Sequence, residues 1–343
     1  MSGLPDAVVD EWSWPDGITF TASSDGLINQ TFVGRADDRL VGVIQRVNTD
    51  VFGPEVHEDI QAVTEHLERK GLITPHLVPT RDGALWATTP FGVYRRLTPV
   101  GERTILRLSN TDQARSAGAI VGRFHEALAD FEWPFRSVRP GAHDTPLHMK
   151  RLQDAIDAHS GHRLYDRVAP VAHDILEHHA SWTGHLVQPS RVIHGDLKVS
   201  NLRWEGDVAM SVIDLDTMQV GSLAVELGDA LRSWCNPLSE DDPGAHFDLA
   251  LFESAMAGYL STSQPPLAEL DAIVRGVDRI ATELASRFAR DALEESYFGW
   301  DERFGTRGEH NLCRAAGQLA LARSVRAQMH QAQQAIRGLS ARA

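Results

Sequence analysis

Residues 192–201 read V-I-H-G-D-L-K-V-S-N, and residues 212–216 read V-I-D-L-D. Each is an apolar run that breaks into polar residues, the pattern of a buried strand carrying acidic and amide side chains to its exposed end. Two such strands side by side must present one shared polar site, which narrows the architectures open to the chain. Asp196 precedes Asn201 by five residues, and Asp214 follows Asp196 by eighteen, with Trp204-Glu205-Gly206-Asp207 supplying a hairpin turn between them. A hairpin of this kind brings one carboxylate to a hydroxyl substrate while an amide oxygen and a second carboxylate hold a hard cation. Mg²⁺ suits such a site, because it takes few protein oxygens and leaves the rest of its shell to water and phosphates. These are the parts of a phosphoryl-transfer centre, where catalysis is mostly positioning and charge neutralisation. An ordinary Asx turn explains Gly195-Asp196 alone, but not two motifs in this order and spacing.

The pattern H-G-D-x-K-x-x-N followed by I-D-x-D resembles the catalytic loop and metal-binding aspartate of the aminoglycoside phosphotransferase and choline kinase superfamily, relatives of protein kinases. The resemblance implies an α+β, bilobal protein-kinase-like fold. A small antiparallel-sheet N-lobe with one helix (residues 1–97) binds the nucleotide, and a mostly helical C-lobe (residues 98–343) carries the catalytic loop, metal site and acceptor pocket. It implies ATP and Mg²⁺ as cofactors, Asp196 as catalytic base or hydroxyl-orienting carboxylate, Lys198 beside the transferred phosphate, and Asn201 and Asp214 as metal ligands. His194 braces the loop. Asp216 is open between a second metal contact and a hydrogen-bonding partner that fixes the loop.

Charge and composition exclude other classes. A formal charge of −14 over 343 residues argues against a nucleic-acid surface or an anionic-membrane binder, since both need a clustered positive field. Two cysteines, Cys235 and Cys313, rule out a disulfide framework and point to a reducing compartment. The acidic first 20 residues hold no apolar core of a signal peptide, and no run approaches the ~20 apolar residues that span a bilayer. The expectation is a soluble cytoplasmic enzyme acting on a small molecule, monomeric or homodimeric.

Within the N-lobe, strands are expected at 18–21 and 28–33, with a turn at 23–26 between them where a nucleotide-covering loop belongs; Asn29 and Thr31 are its cofactor-binding candidates. Residues 40–47 form a third strand, and the superfamily's phosphate-clamping cation falls on Arg46, with Gln45 one position away and therefore on the opposite face. Val56, Ile60, Val63 and Leu67 stripe a helix over 54–70, on which Glu58 is the acid to pair with Arg46. Strands at 77–79, 85–89 and 92–97 complete the sheet. From residue 110 the period becomes helical, with Asp112 as cap, and a linker holds His143 and Asp144. Helices follow at 147–159 and 164–182, the second with solvated His173, His178 and His179. Beyond Asp214, helices are expected at 225–233, 246–260 and 266–290, with a last apolar stripe from Leu312 to Met329.

Further stretches resemble the N-acetylhexosamine 1-kinases: G-L-I-N-Q-T-F at 26–32, V-I-Q-R-V-N-T-D-V-F at 43–52, G-R-F-H at 122–125, and R-D-A-L-E-E-S-Y-F-G-W with E-H-N-L-C-R-A-A-G-Q-L-A-L-A-R-S within 290–324. This chain departs from those sugar kinases at Gly195, where they favour Asn. The resemblance implies transfer to the anomeric hydroxyl of an amino sugar. Hydrogen-bonding candidates for that acceptor are His143, Asp144, Tyr297, Arg307, and the pair His310 and Asn311 at the start of the final helix. An aminoglycoside, choline or ethanolamine acceptor, and an inactive kinase-like regulator, are the competing readings.

Overall fold

The computed structural model describes residues 3–23, 28–139, 141–182 and 189–342, so most of the expected turn at 23–26 lies outside the described residues. A short helix α1 (Asp6–Val9) precedes β1 (Thr19–Ser23), β2 (Gln30–Ala36), β3 (Arg39–Arg46), helix α2 (Val56–Arg69), β4 (Leu77–Val78), β5 (Ala87–Thr89) and β6 (Gly92–Leu97). The six strands make one antiparallel sheet in the order β1-β2-β3-β6-β4, with β5 also on β6. Register decides what each face carries. Thr31 pairs with Gln45 and Gln45 with Arg95, so these three form a row on one face. One position along, Phe32, Ile44 and Tyr94 form the other face, closed by Val8, Trp12 and Ala87 in a small apolar core. Helix α2 buries Val56, Ile60, Val63 and Leu67, as their spacing predicts, and the chain leaves it through Gly71 at φ +81°.

The remaining chain is mostly helical. It comprises β7 (Arg103–Thr104), α3 (Thr111–Ala127), α4 (Thr145–Ala158), α5 (Tyr165–Ala180), β8 (Ser190–Ile193), β9 (Leu202–Glu205), β10 (Val208–Val212), β11 (Gln219–Ser222), α6 (Leu223–Trp234), α7 (Leu249–Leu260), α8 (Leu267–Glu294) and α9 (Arg307–Ser340). The hairpin β9–β10 with β7, and the pair β8–β11, are the strands that carry the polar motifs. The fold is α+β in two lobes. Several boundaries differ from the sequence expectation because side-chain caps decide them. Asn110, not Asp112, caps α3 by accepting from the Gln113 amide, since only the residue in extended conformation before the first turn can reach back. Thr306 caps α9, which therefore starts before His310 and Asn311. His178 is buried against Asp278 at 2.7 Å, itself clamped by Arg326, so that face of α5 is packed, not solvated.

The helices cross at backbone distance. A Cβ on Gly118 of α3 would lie 1.9 Å from the Ala255 carbonyl oxygen of α7, and one on Gly258 of α7 would lie 1.9 Å from that of Arg115. Neither neighbour is a flexible side chain that can move aside. Gly258→Ala should lower the unfolding free energy by about 1–3 kcal/mol or more, as overpacking does. Gly161→Ala, with no atom within 4 Å of the added carbon, should change it by no more than about 0.5 kcal/mol. Urea midpoints of the two variants check this.

Candidate active site

The loop after β8 is held from beneath by one carboxylate. Glu226 on α6 is fully buried and accepts the backbone N–H of His194 at 2.7 Å and of Gly195 at 2.9 Å. Burial works against its charge, but His125, the His194 ring and the Gly195 amide outweigh that and hold its carboxyl below the ordinary range. His125 on α3 sits 3.1 Å from Glu226 and 3.0 Å from the Tyr259 hydroxyl, so three helices converge under the loop. Glu226 and Tyr259 carry no motif, and His125 stands in the sequence only as the end of the G-R-F-H stretch with no role attached, which is why sequence reasoning missed the set. Gly195 stands at φ +81° with the Thr217 carbonyl where a Cβ would go, at 2.8 Å. His194 contacts the Ile213 carbonyl through Nε2 at 2.9 Å and the Asp196 N–H through Nδ1 at 3.2 Å. A carbonyl only accepts and an N–H only donates, so the hydrogen sits on Nε2. This is the bracing role expected of His194.

Asp196 comes next on the loop. Its Oδ2 accepts from Lys198 Nζ at 2.7 Å and from Asn201 Nδ2 at 3.1 Å. Burial would raise its carboxyl, but the Lys198 ammonium, aided by Arg232, brings it below the ordinary value, so it stands ionised. Asn201 spends its Nδ2 on Asp196 and is left with an oxygen to offer. Asp214, at φ +66° after β10, is brought to the same site because the Ile213 N–H bonds the Asn201 carbonyl at 2.9 Å. Its carboxyl is raised by burial and by the neighbouring charges of Asp216 and Asp196, with Lys198 opposing. A carboxylate pressed by like charges beside a free amide oxygen suits a hard cation. Asn201 and Asp214 are the residues that could hold a hard cation such as Mg²⁺; no group of three or more His, Cys, Asp or Glu among the described residues is placed to hold a metal ion.

Asp216 faces the sheet. Its carboxylate takes a two-pronged ion pair from Arg95 on β6, at 2.6 and 2.9 Å, and a 2.6 Å hydrogen bond from Asn29. Arg95 and Asp216 are only 1 % and 2 % exposed. Gln45 steadies the same guanidinium through Oε1, at 2.7 and 2.9 Å, and reaches Thr31 at 3.3 Å. Of the two readings for Asp216, the geometry is that of a loop-fixing partner.

The expected cation–acid pair of Arg46 and Glu58 does not form. Strand parity puts Arg46 on the outer face, exposed and against Gly92, whereas Gln45 faces inward. Glu58 pairs with Arg136, and neighbouring Asp59 accepts from Trp133, Arg136 and Ser137, so both acids in the first turn of α2 grip the linker. Buried His57 stands near Arg95 instead, stacked on Trp86, its basicity lowered to about 4 by burial and the Arg95 charge.

The acceptor candidates divide. His143 contacts Glu283 at 3.2 Å and the Gly195 carbonyl at 3.4 Å, joining the linker to the loop. Tyr297 is half exposed; Arg139 donates to its hydroxyl at 3.2 Å and Arg287 lies 5.9 Å over its ring. Those two arginines outweigh burial and lower the phenol. The others serve the frame. Asp144 caps α4, Arg307 donates to the Glu295 carbonyl, His310 bonds Asp241 at 2.7 Å while stacked on Phe304, and buried Asn311 donates to Asp291 at 2.8 Å. Asp291 in turn accepts the amides of residues 296–298, which explains why a polar pair at that place is buried.

The sequence pattern of the phosphotransferase enzyme family matches residues 19–263. A homoserine kinase of Methylocella silvestris is 28 % identical over 238 residues, covering 68 % of this chain and 67 % of that protein. One of Methylobacterium nodulans is 28 % identical over 202 residues, 57 % of each chain. An aminoglycoside phosphotransferase of Alicyclobacillus acidocaldarius superposes with TM-score 0.63 at 16 % identity, over 96 % of this chain and 98 % of that one. A microcompartment-associated aminopropanol kinase superposes with TM-score 0.62 at 19 % identity, over 94 % and 97 %. The fold is thus that of these kinases. No helix among the described residues is long and apolar enough to cross a membrane.

Two predictions follow from this geometry. Arg95→Met leaves Asp216 buried without its counter-charge and should lower stability by about 3–5 kcal/mol, read from denaturant unfolding. His143 faces two acceptors, so both ring nitrogens must carry hydrogen. Burial opposes the charge, but Glu283, Asp229 and the Gly195 carbonyl raise the ring above its ordinary 6.5. Its contribution is then complete below pH 6.5 and lost as pH rises through the raised value. The melting-temperature gap between wild type and His143→Gln should narrow from pH 6 to pH 9; a constant gap would contradict the assignment.

Proposed function

The chain belongs to the phosphotransferase enzyme family and is an ATP-dependent phosphotransferase acting on an alcohol group; from that premise we propose that it moves the γ-phosphate of Mg²⁺-bound ATP to a hydroxyl of a small polar acceptor, with Asp196 as the reacting carboxylate. The observation that carries this is the convergence of Asp196, Lys198, Asn201 and Asp214 on one loop and one hairpin. On this reading residues 1–97 bind the nucleotide and residues 98–343 bind the acceptor. Asp196, ionised and held at Oδ2 by Lys198, orients the acceptor hydroxyl and takes its proton as the oxygen reaches phosphorus. Lys198 lies close enough to Asp196 to meet the negative charge that moves with the transferred group. Asn201 and Asp214 hold the metal, which when bound neutralises the phosphate oxygens. Gln45 and Arg95, on the inward face of the sheet, replace Arg46 and Glu58 as the N-lobe groups that look toward this site.

For the acceptor, the amino-sugar reading stands first, supported by the resemblance that runs through 290–324. An anomeric hydroxyl is more acidic than an ordinary alcohol, so a carboxylate suffices as its partner. Homoserine is the second reading. Two observations favour it: the homoserine kinases among the relatives, and the pairing of Arg139 and Arg287 around Tyr297, a basic place for a carboxylate.

Asp196→Asn should reduce turnover by several orders of magnitude while nucleotide affinity stays within about threefold; near-normal turnover would remove Asp196 from the mechanism. Phosphorus NMR of the product decides between acceptors. Coupling to one anomeric proton identifies a sugar 1-phosphate, and coupling to a methylene pair with homoserine as acceptor identifies the second reading. Turnover of neither would refute both.

A further inference from the structure

Asp229 lies on α6, three residues after Glu226 and four before Ser233, on the helix face that runs along the catalytic loop. Glu226 holds the amides of residues 194 and 195, Ser233 accepts the Val199 amide at 3.2 Å, and Trp234 donates to the Leu197 carbonyl at 2.8 Å. Asp229 therefore stands opposite the stretch of loop that bears Asp196 and Lys198, and its charge is felt at Lys198 and at His143. Its residue is 5 % exposed. The pairing with Arg232 is one-sided: Nε at 3.0 Å and Nη2 at 2.8 Å both go to Oδ1. A guanidinium that pairs fork to fork would take both oxygens. Here Nη1 turns away to Glu240 at 3.1 Å, and Asp229 Oδ2 is buried without any donor. A buried carboxylate oxygen facing no donor is costly unless a ligand supplies one.

We propose that Asp229 Oδ2 is an acceptor-binding group, taking a hydrogen bond from a second donor on the acceptor, an N–H or O–H separate from the hydroxyl that is phosphorylated. This rests on the proposed function and narrows it. The acceptor class becomes amino alcohols, amido sugars and polyols, and excludes alcohols whose reacting hydroxyl is their one donor. Arg232, a donor only, fixes the orientation of whatever replaces the carboxylate. In Asp229→Asn the amide oxygen must stay with Arg232, so Nδ2 would face the acceptor's donor.

The test is a steady-state panel on the full-length enzyme with ATP and Mg²⁺: N-acetylglucosamine, glucosamine, 2-deoxyglucose, homoserine and choline. Wild type should prefer acceptors with a second donor, and Asp229→Asn should raise the KM of the best acceptor at least tenfold with the KM of ATP within twofold. Removing the second donor from that acceptor should cost wild type at least tenfold in kcat/KM and the variant less than threefold. Equal losses for both acceptors in the variant would reduce Asp229 to a structural partner of Arg232 and overturn the inference. Efficient wild-type turnover of choline, which has one donor, would overturn it while sparing the proposed phosphotransfer and without needing any variant. ATP-dependent phosphorylation of no panel member would overturn both.

Discussion

The buried pair of Arg95 and Asp216 ties the two lobes together at the place where chemistry is assembled. It joins β6 of the sheet to the turn that carries Asp214 two residues earlier, and its partners Asn29 and Gln45 recruit β3 and the approach to β2. Two charges at 1 % and 2 % exposure are costly to desolvate, and their return depends on geometry. That geometry is present, with two prongs on the carboxylate and a glutamine oxygen closing the rest of the fork. The lobes cannot drift apart without exposing or orphaning both charges. This makes the pair better suited to fixing where Asp214 stands than to adding stability as such.

A second buried carboxylate does for the loop bearing Asp196 what Asp216 does for the turn bearing Asp214. Glu226 takes two backbone amides that have no strand partner, because the chain leaves β8 there and turns at Gly195. It also meets Nε2 of His125 at 3.1 Å, and the other nitrogen of that ring is fixed by Tyr259. The loop's position is thus set by helices α3, α6 and α7 as well as by its own hydrogen bonds. Close crossings at Gly118 and Gly258 are what allow α3 and α7 to bring those side chains within reach.

How far the sequence could be read follows from where each signal resides. The loop and turn that bring Asp196, Lys198, Asn201 and Asp214 together were legible because a strand ending in polar residues is a local pattern, and the hairpin between Asn201 and Asp214 is short. The stripe of α2 and the sheet strands were legible from periodicity for the same reason. Arg46 was misassigned because a strand's faces alternate with every residue, and only the pairing of Gln45 with Arg95 on another strand fixes which side looks inward. Glu58 failed for a related reason: the partner that claims it, Arg136, lies far along the chain in the linker. His310 and Asn311 carry polar groups fit for a ligand, yet Asp241 and Asp291 consume them, and neither partner announces itself in the sequence.

The same fact bears on specificity. When most polar side chains around the acceptor side are already satisfied by the frame, discrimination falls to the few that are not, since a group with a partner gains little from a ligand. His143 is spoken for by Glu283 and Gly195, and Asp144 by the first turn of α4. Less fully matched are a basic corner at Tyr297 with Arg139 and Arg287, and the buried Asp229 oxygen that meets no donor. These two groups, one basic and one acidic, suit acceptors that carry polar groups of opposite character. Family membership alone does not impose that arrangement, because it comes from α8, the linker and α6, outside the shared catalytic motif.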